Sequence, residues 1–287
     1  MRGTDENVFS GEKMIIRFRD SLEKGSLSAI LLLLLGVEMV LLAFGGVRKF
    51  IIPEVDIVIE YAVFELIFAV LLIILVSKLR WWKKAGIRPR KNLQGLFLSW
   101  PVLLPLLFYI IILTSFVLRT GYFDIKVILS PYFSGQSGYQ IALITFSALA
   151  IGFNEELLFR GIIFESLRMR GRVKTYLLSS LLFGLMHLGG LIWYPEAGGW
   201  YFIMTAVSAF CLGMLYAGIR WHTNSLFIPM LIHALYDYPI LLSRGFEPPA
   251  VVENFNFSEN YIELAFLAVI LLWGLRMMIR KGIKTDA

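Results

Sequence analysis

The sequence predicts an all-α polytopic membrane protein with eight transmembrane helices around a membrane-embedded polar cavity. Of its 287 residues, 58% are hydrophobic and 17% are charged, against roughly 45 to 50% and about 25% in soluble domains. The mean hydropathy is +0.73. The apolar residues form runs of the length that crosses a bilayer, about 20 residues, and ionisable residues interrupt several runs. This composition excludes a soluble globular enzyme and a disordered chain.

Eight apolar runs divide the chain into predicted spans. The fifth and seventh runs are short and are interrupted by polar residues, and the others have the full length of a crossing. In chain order the spans are 27–47, 57–77, 95–118, 141–164, 175–192, 200–219, 225–243 and 261–279. The predicted organisation is an N-terminal tail (1–26), a transmembrane domain (27–280, with a motif-bearing core at about 138–243) and a C-terminal tail (281–287).

The distribution of basic residues predicts the orientation. Most of the 27 Lys and Arg residues lie in the two tails and in alternate loops, which predicts that both termini are cytoplasmic. The first apolar run lacks a small-residue cleavage site, so we expect an uncleaved anchor. The basic run from Lys78 to Lys91 is interpreted as a topology signal in contact with anionic lipids of the bilayer, and no nucleic-acid partner is expected.

Ionisable residues inside the predicted spans are the candidate functional residues. A charged group at the bilayer centre costs at least about 2.5 to 3.5 kcal/mol, so each one needs a partner, water or a function. His222 falls in a loop and is interpreted as a surface residue, and the Gly-Gln-Ser-Gly string at 135–138 is interpreted as turn chemistry. The candidates are Glu38, Glu65, Glu155, Glu156, Arg160, His187, His233 and Asp237.

Three local groupings stand out among these residues. Glu156 and Arg160 are four residues apart on one helix face and can neutralise each other, whereas Glu155 points about 100° away. His233 and Asp237 have the same spacing. Gly184 precedes His187 by about one turn and lets another backbone or a substrate approach. At about 1.5 Å rise per residue, the three helices carry these groups at similar depth, which allows a single site.

The residues alone leave three interpretations open. Carboxylates and imidazoles can activate a water molecule for peptide-bond hydrolysis without a covalent intermediate. The same groups can instead staple helices together through an ion pair and interhelical hydrogen bonds. They can also form a proton or ion pathway.

The ordered motifs resemble those of the CAAX prenyl protease type II family, also called the CPBP or abortive-infection family of intramembrane proteases. The motifs are Glu155-Glu156-xxx-Arg160, Phe183-xxx-His187 and His233-xxx-Asp237. The resemblance implies that Glu155 is the base that activates water and that His187 shares this water. It further implies that Glu156 and Arg160 orient the site, and that His233 and residue 237 form the oxyanion hole.

Residue 237 departs from the eukaryotic motif, which has asparagine there. An ionised aspartate accepts hydrogen bonds and cannot donate one to an oxyanion. We therefore expect that Asp237 is neutral or that it orients His233; otherwise the oxyanion is held elsewhere. We expect no tightly bound cofactor or metal; the alternative is zinc held by Glu155, His187 and His233, which have the composition of a catalytic zinc site.

The resulting hypothesis is an intramembrane endopeptidase that acts on prenylated CAAX-type or other membrane-associated or lipidated peptides. The alternatives are a non-catalytic immunity or adaptor protein and a proton-coupled transporter that uses Glu38 and Glu65. These two acids either face the cavity or pair with Arg160. The expected location is a prokaryotic plasma membrane, with the endoplasmic reticulum as the alternative.

Overall fold

The structure is a computed structural model that describes residues 3–50, 56–87, 91–108, 137–193, 198–244 and 257–280. Within these ranges the regular structure is helical. A π-helical segment spans Leu157–Ile163, and 3₁₀ turns span Arg168–Arg170 and His187–Gly189. The helices are α1 (Gly3–Glu23), α2 (Leu27–Phe50), α3 (Ile57–Leu79), α4 (Trp82–Ala85), α5 (Asn92–Leu98), α6 (100–108), α7 (Gly138–Glu156), α8 (Phe164–Leu167), α9 (Arg172–Met186), α10 (Gly190–Trp193), α11 (Gly199–Thr223), α12 (Phe227–Arg244) and α13 (Phe257–Ile279).

Six of the predicted spans are helices long and apolar enough to cross a bilayer in the part of the chain that the structure describes. They are the first, second, fourth, fifth, sixth and eighth spans. The seventh, in α12, is apolar but shorter. The third is described only as far as residue 108, and the rest of it lies outside the described residues. The all-α membrane architecture is thus supported, whereas the count of eight and the polar cavity are not confirmed.

α11 forms the centre of the described helices. It packs against α9 and α13, and 61% of its most apolar stretch is buried, against 22% for α2 and for α13. A second group is formed by α7, which packs against α3 and α12. These two groups of helices carry the predicted site residues.

A glycine allows α7 and α12 to approach each other closely. A Cβ atom at Gly152 would lie 2.6 Å from the Met230 carbonyl oxygen and 3.0 Å from the Ala234 nitrogen. Any larger residue would clash with the α12 backbone. The contact lies about one turn before Glu155, so it sets the distance between the acids of α7 and the polar residues of α12.

Two predictions about polar residues near the helix ends have different outcomes. His222 is not a surface loop residue, because α11 continues through Thr223 and the half-buried imidazole Nε2 lies 3.1 Å from the Met277 carbonyl oxygen. The turn interpretation of residues 135–138 is not tested, because residues 135 and 136 lie outside the described residues and the other two begin a helix. Ser137 caps α7 in a capping box with Gln140, which is a feature of helix starts.

Candidate active site

The C-terminal end of α7 carries the first group of predicted site residues. Glu155 and Glu156 end the helix, and Arg160 lies in the π-helical segment. Arg160 Nη1 donates a 2.9 Å hydrogen bond to Glu156 Oε1, and both side chains are fully buried. The predicted ion pair is therefore present. The spacing of the residues does not predict this π-helical segment. Such segments are frequent at functional sites.

His233 joins α12 to this group of acids. Its Nδ1 lies 3.1 Å from Glu156 Oε1, and its Nε2 lies 3.3 Å from Asp237 Oδ2 and 3.6 Å from Glu155 Oε2. An ionised carboxylate can only accept hydrogen bonds. Both ring nitrogens can be satisfied only if His233 is an imidazolium or if a neighbouring carboxyl group holds a proton. The arrangement thus keeps an exchangeable proton among these groups.

The accessible side of the group is formed by Glu155 and Asp237. Their side chains are 30% and 23% exposed, whereas those of Glu156 and Arg160 are fully buried. Glu155 Oε2 and Glu156 Oε2 are both buried and have no hydrogen-bond partner among the described residues. The partial exposure of its side chain is therefore what distinguishes Glu155 from Glu156.

His187 lies beside the group, at the end of α9. Its Nδ1 is 2.9 Å from the Phe183 carbonyl oxygen, so this nitrogen carries the proton in a hydrogen bond and Nε2 keeps the lone pair. The Phe183 ring packs edge to face against His187 and His233, with centroid distances of 4.9 and 5.8 Å.

The predicted close approach at Gly184 is also present. A Cβ atom there would lie 2.7 Å from the Ala206 carbonyl oxygen of α11. The neighbour is thus another backbone, which brings α9 and its histidine onto α11.

Aromatic side chains surround Arg160. Its guanidinium carbon lies 4.3 Å from the Phe183 ring centroid and 5.3 Å from that of Tyr216, which are cation–π distances. Arg160 Nε and Nη2 have no hydrogen-bond partner in the described structure. Tyr216 also stacks on His233. The sequence does not predict Tyr216 as a neighbour of the site, because an aromatic residue in an apolar span is expected for packing alone.

Glu65 and Glu38 lie beside site residues. Asn154 Nδ2 donates to Glu65 Oε2 over 2.7 Å and to the Glu65 carbonyl oxygen over 2.9 Å, next to Glu155 in the chain. A Cβ atom at Gly189 would lie 3.3 Å from both carboxylate oxygens of Glu38, so Glu38 touches the turn after His187. In the described residues neither acid forms the predicted pair with Arg160, whose ion pair is with Glu156.

The residues present do not form a zinc site. Within the described ranges, no group of three or more His, Cys, Asp and Glu side chains converges closely enough to hold a metal ion. Zinc requires ligand atoms at about 2.0 to 2.3 Å in a tetrahedral arrangement. No chemical step is therefore assigned to a metal at Glu155, His187 and His233, the alternative zinc ligands, and the expectation of no tightly bound metal stays a prediction.

Comparison with known proteins identifies the region that carries these residues. Residues 137–239 match the family model described as Type II CAAX prenyl endopeptidase Rce1-like. No curated protein and no solved structure matches the chain. The resemblance seen in the motifs is thus confirmed for this region, and the match supports a protease. The matched region includes the predicted site residues Glu155, Glu156, Arg160, His187, His233 and Asp237.

Proposed function

We propose that the chain is an intramembrane endopeptidase in which a water molecule, activated by Glu155 and His187, attacks a peptide bond. One observation carries this proposal. Two apolar helices bring Glu155 and Glu156 of α7 within 3.6 Å of His233 of α12, inside the region that matches a protease family. Ionisable groups at membrane depth are costly and favour a functional interpretation.

Glu155 is the proposed general base. A base needs a lone pair that water can reach. Glu156 is unsuitable, because its Oε1 accepts from Arg160 and lies 3.1 Å from His233, and its side chain is fully buried. The Glu155 side chain is 30% exposed, so a water molecule can approach its carboxylate. Glu155 therefore takes the proton of the attacking water and returns it to the leaving amine when the peptide C–N bond breaks.

His187 is proposed to position this water. Because its Nδ1 proton is bonded to the Phe183 carbonyl oxygen, its Nε2 offers a lone pair. A water that donates one proton to Glu155 and the other to His187 has its own lone pair directed at a third point, where the substrate carbonyl carbon would lie. This geometry provides the orientation that accelerates hydrolysis.

Asp237 is proposed to orient His233. The distance of 3.3 Å between His233 Nε2 and Asp237 Oδ2 suits an imidazole that donates to the carboxylate. Because Nδ1 faces Glu156, a developing oxyanion would share the Nε2–H with Asp237 or be held by another donor. A protonated Asp237 would itself be a donor. Asp237→Asn distinguishes the two: it keeps activity if a neutral donor is required, and it loses activity with an intact fold if the carboxylate orients His233.

The proposed substrate is a membrane-associated or lipidated peptide, such as a prenylated CAAX-type peptide. An apolar groove between α7 and α12 has a volume of about 310 Å³ and is lined in part by Ala148, Leu149, Ala234 and Tyr238. Ala234 and Tyr238 directly follow His233 and Asp237 in the chain. We propose that the lipid chain occupies this groove, so that the adjoining peptide lies at the acids and imidazoles.

The proposed location is a prokaryotic plasma membrane with both termini in the cytoplasm. The concentration of basic residues in the tails and alternate loops supports this orientation. The peptide part of the substrate would then enter from the cytoplasm, while its lipid stays in the bilayer.

Cleavage of a fluorogenic farnesylated CAAX peptide by the protein in proteoliposomes tests the proposal, with the products identified by mass. We expect endoproteolytic release of the C-terminal tripeptide, and slower cleavage of the same peptide without the lipid. Glu155→Gln and His187→Ala abolish cleavage. Glu38→Gln is the matched control, because it also removes a carboxylate from a span, and it retains activity.

Two results would contradict the proposal and favour the alternatives. Tight association of the lipidated peptide without cleavage by the wild-type protein indicates a non-catalytic adaptor. Uptake of a solute that depends on pH and survives loss of His233 indicates a transporter. Activity measured after chelation tests the metal prediction separately; a chelated enzyme that regains activity with zinc would overturn it.

A further inference from the structure

Tyr216 of α11 contacts two site residues but has no role in the mechanism above. Its side chain is fully buried. Its ring stacks on the His233 imidazole with centroids 5.1 Å apart and an interplanar angle of 24°. The Arg160 guanidinium carbon lies 5.3 Å from the same ring centroid. One side chain from a third helix therefore contacts the imidazole of α12 and the cation beside α7.

Phe183 of α9 contacts the same two residues in a different geometry. Its ring meets the His233 ring at 85°, and its centroid lies 4.3 Å from the Arg160 guanidinium carbon. Tyr216 thus covers the face of the imidazole, while Phe183 meets it nearly at right angles. Rotation about χ2 of a histidine is only weakly restricted by its own torsional energy, so surrounding rings decide the plane.

The plane of the imidazole matters because its two nitrogens have different neighbours. Nδ1 faces Glu156, and Nε2 faces Asp237 and Glu155. Rotation of the ring would break both contacts and would also lose the stacking on Tyr216. The Tyr216 hydroxyl has no hydrogen-bond partner among the described residues, so the ring is the part of the side chain that makes these contacts.

We propose that Tyr216 is a positioning residue of the site, whose ring fixes the plane of His233 and holds the Arg160 cation beside Glu156. Its geometric effect is independent of the reaction. Its effect on turnover rests on the proposed function. The two effects are measured separately, so that failure of one is distinguishable from failure of the other.

Tyr176 provides a matched control for volume and polarity. It is also fully buried, and its hydroxyl likewise has no hydrogen-bond partner in the described structure. Its ring packs on Phe164 and Trp221 at 6.2 and 6.0 Å, outside the site. Replacing either tyrosine with leucine removes a similar buried volume, so the cost in stability should be similar.

Histidine NMR tests the geometric effect. The chain has three histidines, so the ring signals can be assigned with one His→Gln variant for each. The stacked Tyr216 ring shields the His233 ring protons. We expect Tyr216→Leu to move the His233 ring-proton signals downfield through loss of this shielding, and to change the His233 ring-nitrogen signals through loss of the contacts with Glu156 and Asp237. Tyr216→Phe and Tyr176→Leu leave both in place. Unchanged ring-nitrogen signals of His233 in Tyr216→Leu overturn the proposal, whatever the activity.

Kinetics on the farnesylated peptide tests the effect on turnover. A misplaced catalytic group can cost about 10²-fold in rate. We expect Tyr216→Leu to lower kcat by about 10²-fold at nearly constant KM, since it disturbs the reacting groups and leaves the groove intact. Tyr216→Phe keeps kcat close to the wild-type value, because it retains the ring. Tyr176→Leu also keeps kcat, at a thermal stability similar to that of Tyr216→Leu.

The outcomes separate the two proposals. A raised KM at constant kcat in Tyr216→Leu contradicts a positioning role, and so does an equal loss of kcat in Tyr176→Leu. If the wild-type protein cleaves no peptide but the His233 signal moves as expected, the proposed function fails and the structural role of Tyr216 stands.

Discussion

Two arginine side chains, Arg160 and Arg220, are fully buried, and their surroundings differ. Arg220 donates to the backbone carbonyl oxygens of Arg160 and Lys84, to the Asn224 side chain and to the Glu165 carboxylate. Arg160 has one ion pair, with Glu156, and two of its nitrogens have no hydrogen-bond partner in the described structure. Aromatic rings cover the rest of its guanidinium group.

The two arginines are equally buried but differ in how many of their donors form hydrogen bonds. We propose that this difference marks Arg220 as a residue that stabilises the fold and Arg160 as a residue of the site. Buried polar groups in folded proteins are nearly always paired, and those that are not require an explanation. Arg220 satisfies its donors on α4, the π-helical segment, α8 and the C-cap residue of α11, so it joins four parts of the chain. Arg160 has two nitrogens without a hydrogen-bond partner in the described structure, and its guanidinium group lies against the Phe183 and Tyr216 rings.

Removal of the Arg160 cation should have the largest effect. Arg160→Met leaves the buried Glu156 without its arginine partner, and breaking such a pair costs about 3 to 5 kcal/mol. We expect a large loss of thermal stability in detergent and no measurable peptide cleavage. The double variant Glu156→Gln/Arg160→Met should recover much of the stability and none of the activity. Recovered activity in the double variant would show that the pair has only a structural role.

Removal of Arg220 should mainly affect stability. Arg220→Met leaves buried carbonyl oxygens without a donor, each at a cost of about 1 to 3 kcal/mol. We expect a lower midpoint of thermal unfolding, while kcat per folded molecule stays close to that of the wild-type protein. A large loss of kcat at unchanged stability would contradict the distinction between the two arginines.

Two glycines allow a finer comparison. Gly86 has φ of +77°, and a Cβ atom there would lie 2.8 Å from Arg220 Nη1. A Cβ atom at Gly213 would lie 3.1 Å from Arg160 Nη2. Gly86→Ala should cost about 1 to 3 kcal/mol of stability through backbone strain and leave kcat unchanged. Gly213→Ala should lower kcat more than stability, as thermal unfolding and peptide kinetics would show. Equal effects of the two variants on kcat would contradict the distinction between Arg160 and Arg220.

The smallest effect is expected at an exposed ion pair next to Arg220. The Lys84 ammonium donates a 2.7 Å hydrogen bond to Glu23 and holds the pKa of this carboxyl below its ordinary value of 4.5. Its contribution to stability is therefore present above pH 4.5 and is lost as the pH falls through the lowered folded pKa. Unfolding midpoints of the wild type and Glu23→Gln should differ slightly at neutral pH and converge in acid. A difference that grows in acid would contradict this sign.

The sequence predicts those parts of the site that depend on regular spacing. A spacing of four residues on one helix predicts the Glu156–Arg160 pair and the proximity of His233 to Asp237, and the structure contains both. Similar depth in separate spans predicts the meeting of α7 and α12. The apolar runs likewise predict six of the helices that can span a membrane.

The remaining features depend on contacts that spacing does not encode. Tyr216 lies in an apolar span, where an aromatic residue is expected for packing alone. Arg220 lies near the end of α11, where the sequence predicts a basic residue that sets the orientation in the membrane. Only packing shows that α4 and the π-helical segment bury it. The Asn154–Glu65 contact joins residues 89 positions apart, which no local pattern predicts.

A double-mutant cycle on kcat tests most directly whether Glu155 and His233 act within one site. It compares Glu155→Gln, His233→Gln and the double variant, each with an intact fold, on the farnesylated peptide. Residues that act as a unit have strongly non-additive effects. We predict that the double variant is about as inactive as either single variant. Independent, multiplying losses, or a single variant with wild-type kcat, would contradict a shared hydrolytic site.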